Sequence, residues 1–255
     1  MTPTTQTLPA NAELRHPAID HQTAMRLAAI EYDRFAAVLE GLTASDWTQP
    51  TDCPAWDVRA MACHMLGMAE FAASIREGRR QRRAAIRRGG LFIDALNDLQ
   101  VQERAALTPA QITRQFRVAG PRAARGRRRT PAFIRRRRMP IAQPVGDTLE
   151  WWSIGYLTDV ILTRDVWMHR IDISRATAQP LHLSADHDGV LVADIVAEWA
   201  SRHQQPYNLH LAGPAGGNWS AGAGGPSLEL DAVEFCRILS GRAQGQGLLA
   251  VAVPF

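Results

Sequence analysis

The spacing of apolar residues along this 255-residue chain divides it into parts. From Ile19 to Leu42, the residues Leu27, Ile30, Phe35, Val38, Leu39 and Leu42 recur at helical intervals, predicting a helix with one buried face. Loop chemistry follows between Pro50 and Pro54. Asp57 then stands where a side-chain oxygen can accept the first free amides of a helix beginning at Val58. Trp56 and Met61 flank that cap with the spacing of a hydrophobic staple, and the helix is expected to reach about Ile75. Leu91–Leu107 predicts a third helix, and a fourth is expected from about Thr148 through LEWWSIGYLTDVILTRDVWMHRIDISRAT. Residues 1–17 are polar and aperiodic and read as a flexible arm.

After Ala178 the period shortens. A helix at about Ala185–His203 precedes three short alternating segments, YNLHLAG, NWSAG and SLELD, which predict strands. A helix over Ala232–Leu239 and a final strand in LLAVAVPF complete the pattern. Four helices followed by a small α+β unit imply two domains meeting near residues 176–184.

Composition narrows the class. Hydrophobic residues at 46% and charged residues at 21% exclude a wholly disordered chain. No run approaches the roughly 20 apolar residues of a bilayer-spanning helix, and the N-terminus lacks the pattern of a signal peptide. Cys53, Cys63 and Cys236 form no CxxC pair, and their odd number argues against a disulfide framework. They read as small buried hydrophobes. The expectation is a cytoplasmic protein with no membrane partner.

Charge is distributed unevenly. All 29 basic residues are arginine, and 19 of them lie in residues 76–138 against four acids. The runs RRQRRAAIRRGG and GRRRTPAFIRRRR, with the prolines and glycines around the second, make about 108–147 read as an Arg-rich insert, a long excursion or mobile loop. Such a segment could neutralise phosphates, which makes nucleic acid a candidate partner. Only Phe92, Phe116 and Phe133 are available there for base stacking, and no helix-turn-helix or zinc-finger pattern frames the runs, so this is the weaker reading.

The chemistry concentrates on the fourth helix. Asp165 and His169 stand four residues apart, which places a carboxylate and an imidazole one turn apart on one helical face. Ile161, Leu162 and Met168 lie on or beside that face, so the pair points inward, where a metal ion would satisfy both groups. A hydrogen-bonded pair without metal is the alternative. On the second helix, His64 shares a stripe with Met61, Met68 and Phe71 and supplies a third inward ligand, or else a satisfied core histidine.

The block W-x2-PT-x-CPAW-D-V-R-x4-H-M-L-G, from Trp47 to Gly67, resembles the start of the mycothiol-dependent maleylpyruvate isomerase family, and RDVWMHRID resembles its second metal-binding stretch. The resemblance covers most of residues 19–255 and fails over the Arg-rich middle. It implies an N-terminal DinB-like four-helix bundle over 18–178, carrying the insert, and a small sterol-carrier-protein-like α+β domain over 179–255. It also implies that His64, Asp165 and His169 are metal ligands, although the family usually has Glu where this chain has Asp165. Two imidazoles and one carboxylate suit zinc first, with a position left open, while iron or nickel would also fit. Asp172, one turn beyond His169 in the direction of Arg175, is a candidate to orient a ligand or a partner for Arg170 or Arg175.

The function implied is that of a metal-dependent isomerase or S-transferase. A divalent metal would activate the thiol of mycothiol, the cosubstrate, for attack on a small electrophile. Arg242 resembles a family arginine that holds an acidic substrate, with a helix C-terminal charge as the plainer alternative. A hydrolase using activated water, and a non-catalytic relative that binds a ligand or nucleic acid, are the other readings. Sequence leaves the oligomeric state and the substrate open.

Overall fold

The computed structural model describes residues 13–255. In chain order the elements are β1 (Leu14–Arg15), α1 (His21–Gly41), α2 (Val58–Ala73), α3 (Ile75–Arg88), α4 (Phe92–Arg104), α5 (Pro109–Arg128) and the short α6 (Ala132–Arg135). After these come β2 (Gln143–Val145), β3 (Thr148–Trp152), α7 (Leu162–Thr177), α8 (Val190–His203), β4 (Tyr207–Ala212), β5 (Gly217–Ala221), β6 (Ser227–Asp231) and α9 (Ala232–Leu239). Residues 20–131 and 165–181 make a helical unit, while 132–164 and 182–255, with the described residues before 20, make an α+β unit. A helical domain plus a small α+β domain is the fold class the sequence predicts. No helix among the described residues is long and apolar enough to cross a membrane.

In the helical unit, caps set the helix starts. Asp20 accepts the amide of Thr23 at 3.0 Å, and Asp57 accepts that of Ala60 at 2.7 Å, as its position predicts. The apolar stripe of α1 packs on α5, where Phe35 and Phe116 have ring centroids 4.8 Å apart. Helix α2 is buried from Met61 to Ala69 because α3, α4 and α5 all pack on it. That near-total burial explains its run of Ala, Cys, Met, Leu and Gly in place of a polar face.

Much of the Arg-rich middle, expected as a loop over about 108–147, is helix: α5 and α6 cover most of 109–135, and irregular chain then leads into β2. Thr108 and Gln111 form a reciprocal capping box, Pro109 occupies the first turn, and Ile112, Phe116, Ala119 and Ala123 bury one face of α5. Its arginines mostly occupy the opposite face. The second predicted helix ends at Ala73, where Ser74 turns extended and caps α3 by accepting the amide of Glu77. On α3, Arg76, Arg79, Arg82, Arg83 and Arg87 face solvent, and Gln81 and Ala85 face inward.

Arg80 links α3 to α4 by gripping Glu77 and Glu103 with hydrogen bonds of 2.6–2.8 Å. The Arg80 hydrogen bonds hold both carboxyls below the usual range. Groups with depressed pKa values contribute stability above their unfolded pKa and lose it as pH falls through the folded value. Because all three side chains are partly exposed, the contribution is expected to stay below about 1 kcal/mol. Urea melts of wild type and Arg80→Met should therefore differ slightly at pH 7 and converge as the pH falls below the folded pKa values of Glu77 and Glu103.

In the α+β unit, β3 is the centre strand of a three-stranded sheet, parallel to β1 and antiparallel to β2. The expected helix from Thr148 is thus a strand at its start. Trp151 and Trp152 suit a pleated surface, and α7 begins only after a π-helical turn over Tyr156–Ile161. Residues 1–12 of the expected arm lie outside the described residues, and Leu14–Arg15 form β1. In the second sheet β4 is central, antiparallel to β5 and parallel to β6, with Tyr207, Leu209 and Leu211 buried. Trp199 of α8 packs edge-on against Tyr207 and Phe235, and its indole N–H donates to the Leu248 carbonyl at 2.9 Å. The segment predicted as a final strand is a 3-10 turn over Gly247–Ala250 followed by irregular chain.

Candidate metal centre

Helix α2 supplies His64, and α7 supplies Asp165 and His169 one turn apart. The structure brings the three together within the helical unit. His169 Nε2 lies 3.3 Å from Asp165 Oδ1, and His64 Nε2 lies 3.8 Å from Asp165 Oδ2. One ligand atom from each residue lies within 4.8 Å of the others. Four ligands around zinc at 2.0–2.1 Å sit about 3.3 Å apart, so the donor set and its spacing fit a divalent ion with small adjustments. The histidine side chains are 5% and 7% exposed, and the Asp165 side chain is more open at 18%.

Each imidazole is held from behind. His169 Nδ1 donates to Asp172 Oδ2 at 3.0 Å, and Asp172 is fully buried. Arg170 grips Glu31, and Arg175 pairs with Asp52. His64 Nδ1 meets Gln100 Oε1 at 2.9 Å. In both rings the remaining Nε2 faces Asp165. The Cys-Pro-Ala-Trp loop before α2 lies against the site. The Trp56 ring is 4.8 Å from His64 and 5.8 Å from His169, and Cys53 Sγ is 3.9 Å from Asp172 Oδ2.

The electrostatics favour a cation here. Burial opposes charge on His169, but its hydrogen bonds to the carboxylates of Asp165 and Asp172 outweigh it and hold the imidazole well above its ordinary pKa. Burial likewise opposes charge on Asp165, and the neighbouring His169 and His64 overcome it, holding the carboxyl well below the usual range. Without metal, protons supply the positive charge that Asp165 requires. A divalent ion would displace them. The other thiols are ordinary core groups: Cys63 and Cys236 are buried, and burial pushes the Cys63 thiol up to about 11.

Arg242 belongs to the α+β unit. Gly241, at φ +80°, ends α9, and the Arg242 amide donates to the Arg237 carbonyl at 2.9 Å, closing the turn. Trp56 and Gln100 were not singled out from sequence as parts of the site. Trp56 stands inside the motif block and could have been found there, whereas Gln100 carries no motif.

The ligand cluster falls inside a stretch shared with known proteins. The sequence pattern described as the mycothiol maleylpyruvate isomerase N-terminal domain matches residues 28–174, which contain His64, Asp165 and His169. The chain belongs to that family. This mycothiol maleylpyruvate isomerase family member is similar to two uncharacterized proteins of Mycobacterium tuberculosis, MT0041 of strain CDC 1551 and Rv0036c of strain H37Rv. Each is 26% identical over 239 residues, covering 83% of this chain and 82% of the relative. The crystal structure of the mycothiol-dependent maleylpyruvate isomerase superposes with a TM-score of 0.57 at 14% identity, covering 88% of this chain and 90% of that one. A mutant of the same enzyme matches with the same TM-score. That likeness is one of fold.

Proposed function

We propose that this family member is a metal-dependent isomerase or S-transferase that uses mycothiol as cosubstrate and acts on a small electrophile in the cytoplasm. The observation that carries the reading is the His64–Asp165–His169 cluster, with both Nε2 atoms turned to one carboxylate. His64 Nε2, an Asp165 oxygen and His169 Nε2 would hold a divalent ion, zinc first. When bound, such an ion supplies Lewis acidity that lowers the pKa of a neighbouring thiol or water. One carboxylate neutralises only half of a divalent charge, so the site favours an anionic partner such as a thiolate.

The chain's own residues prepare that site. Asp172 orients His169 and Gln100 orients His64, so neither ring has to turn on binding. Trp56 shields the two imidazoles from water on one side. Arg242 is proposed, from the family resemblance, to hold an acidic group of the substrate.

The test is turnover of a panel of small electrophiles, maleylpyruvate included, with and without mycothiol. Turnover should require the thiol, disappear on chelation and return with zinc. Turnover that persists without mycothiol would favour activated water, and turnover indifferent to chelation would overturn the metal reading.

A further inference from the structure

Behind His64 lies a short chain of buried amides whose polarity can be read from one end to the other. Gln81 of α3 and Gln100 of α4 are both fully buried. Gln81 Nε2 is 3.1 Å from the Gly67 carbonyl oxygen and 3.0 Å from Glu77 Oε1. A backbone carbonyl can only accept, and Glu77, gripped by Arg80, is a carboxylate that can only accept. The amino end of Gln81 must therefore face them, which leaves its oxygen facing Gln100 at 2.9 Å.

That oxygen needs a donor, so Gln100 turns its Nε2 toward Gln81, where it also lies 3.0 Å from Met68 Sδ, a weak acceptor. Its own oxygen is left facing His64 Nδ1. Flipping Gln100 would set its oxygen against that of Gln81, and flipping Gln81 would set its oxygen against the Gly67 carbonyl and the Glu77 carboxylate. In a fully buried chain such a mismatch has no water to relieve it.

We propose that Gln81 and Gln100 are positioning residues that lock His64 as the Nδ1–H tautomer, with the polarity of the lock set by the Gly67 carbonyl. Nε2 is thereby left to face Asp165, where its lone pair would meet a metal ion. This rests on the metal-centre reading for its purpose, though not for its hydrogen-bond logic. Gly67 serves the device twice, because it also makes room. A Cβ there would stand 2.5 Å from Gln100 Cγ and 2.6 Å from its Cβ, closer than real contacts allow. The glycine three residues after His64 in the motif block is thus the seat of the histidine's partner. The two imidazoles also differ in kind, since a neutral amide holds His64 and a carboxylate holds His169.

The test pairs zinc affinity, from competition with a chromophoric chelator, with long-range proton–nitrogen NMR of the histidine rings in metal-free and zinc-loaded protein. Wild type should show the proton of His64 on Nδ1 in both forms. Gln100→Leu should weaken zinc about 10- to 100-fold and lose the single tautomer. Gln100→Glu, protonated so that it donates to the Gln81 oxygen and still accepts from Nδ1, should retain affinity within about fivefold of wild type, and serves if the leucine variant fails to fold. A His64 Nδ1 that carries no proton in metal-free wild type, affinity unchanged in Gln100→Leu, or equal losses in the Leu and Glu variants would overturn the proposal. Wild type that binds no zinc would instead overturn the metal-centre reading, while the metal-free spectrum still decides the tautomer.

Discussion

Arg170→Met is expected to destabilise the helical unit by about 3–5 kcal/mol, the usual cost of breaking a buried ion pair by removing one partner. Glu31 on α1 and Arg170 on α7 are 0% and 2% exposed. They meet through two hydrogen bonds of 3.0 Å, from Nε and from one terminal nitrogen. Methionine replaces the stem of the arginine but leaves the Glu31 carboxylate buried without this fork. In a chain of this size the loss corresponds to a melting temperature lower by the order of 10 °C. Adding Glu31→Leu should recover much of the loss, because a well-packed apolar pair can match a buried ionic one. Denaturant melts of the four proteins in this cycle check the claim. A loss below about 1 kcal/mol for Arg170→Met would mean that water reaches the pair.

Asp165→Asn should leave the fold intact and remove the chemistry. The amide has nearly the same shape but no charge, and Asp165 is the residue toward which both Nε2 atoms are directed. Hydrogen-bond partners behind a ligand are already worth about 10- to 100-fold in metal affinity, so loss of the only carboxylate among the three ligands should cost at least about 100-fold. Mycothiol-dependent turnover should fall to background. Circular dichroism should be unchanged, which separates loss of the site from unfolding. Metal affinity within a few-fold of wild type would show that the ion, if bound, sits elsewhere.

Much of the fold and of the ligand cluster is legible in the chain because helical periodicity carries faces as well as elements. Four-residue spacing places Asp165 and His169 on one face, and the Met61–His64–Met68 stripe turns His64 inward. Asp57 marks the start of α2, and alternation marks β4. Other features are hidden for definite physical reasons. In α5 the arginines dominate any count of composition, although Ile112, Phe116, Ala119 and Ala123 keep a helical stripe beneath them. The Trp151–Trp152 pair runs almost directly into helical chain, so no local signal separates β3 from α7. Gln81 and Gln100 look like surface residues until the packing of α3 and α4 on α2 buries them. Their role depends on bond polarity across three helices, which no spacing rule encodes.

Metal content tests the central claim most directly. Wild-type protein and His169→Ala, purified side by side without added metal, would be analysed by elemental mass spectrometry. About one divalent ion per wild-type chain is expected, zinc first, with a near-complete loss in the variant. A wild-type protein that carries no metal and takes none up on titration would contradict the claim, and would leave the His64–Asp165–His169 cluster as a buried hydrogen-bonded triad.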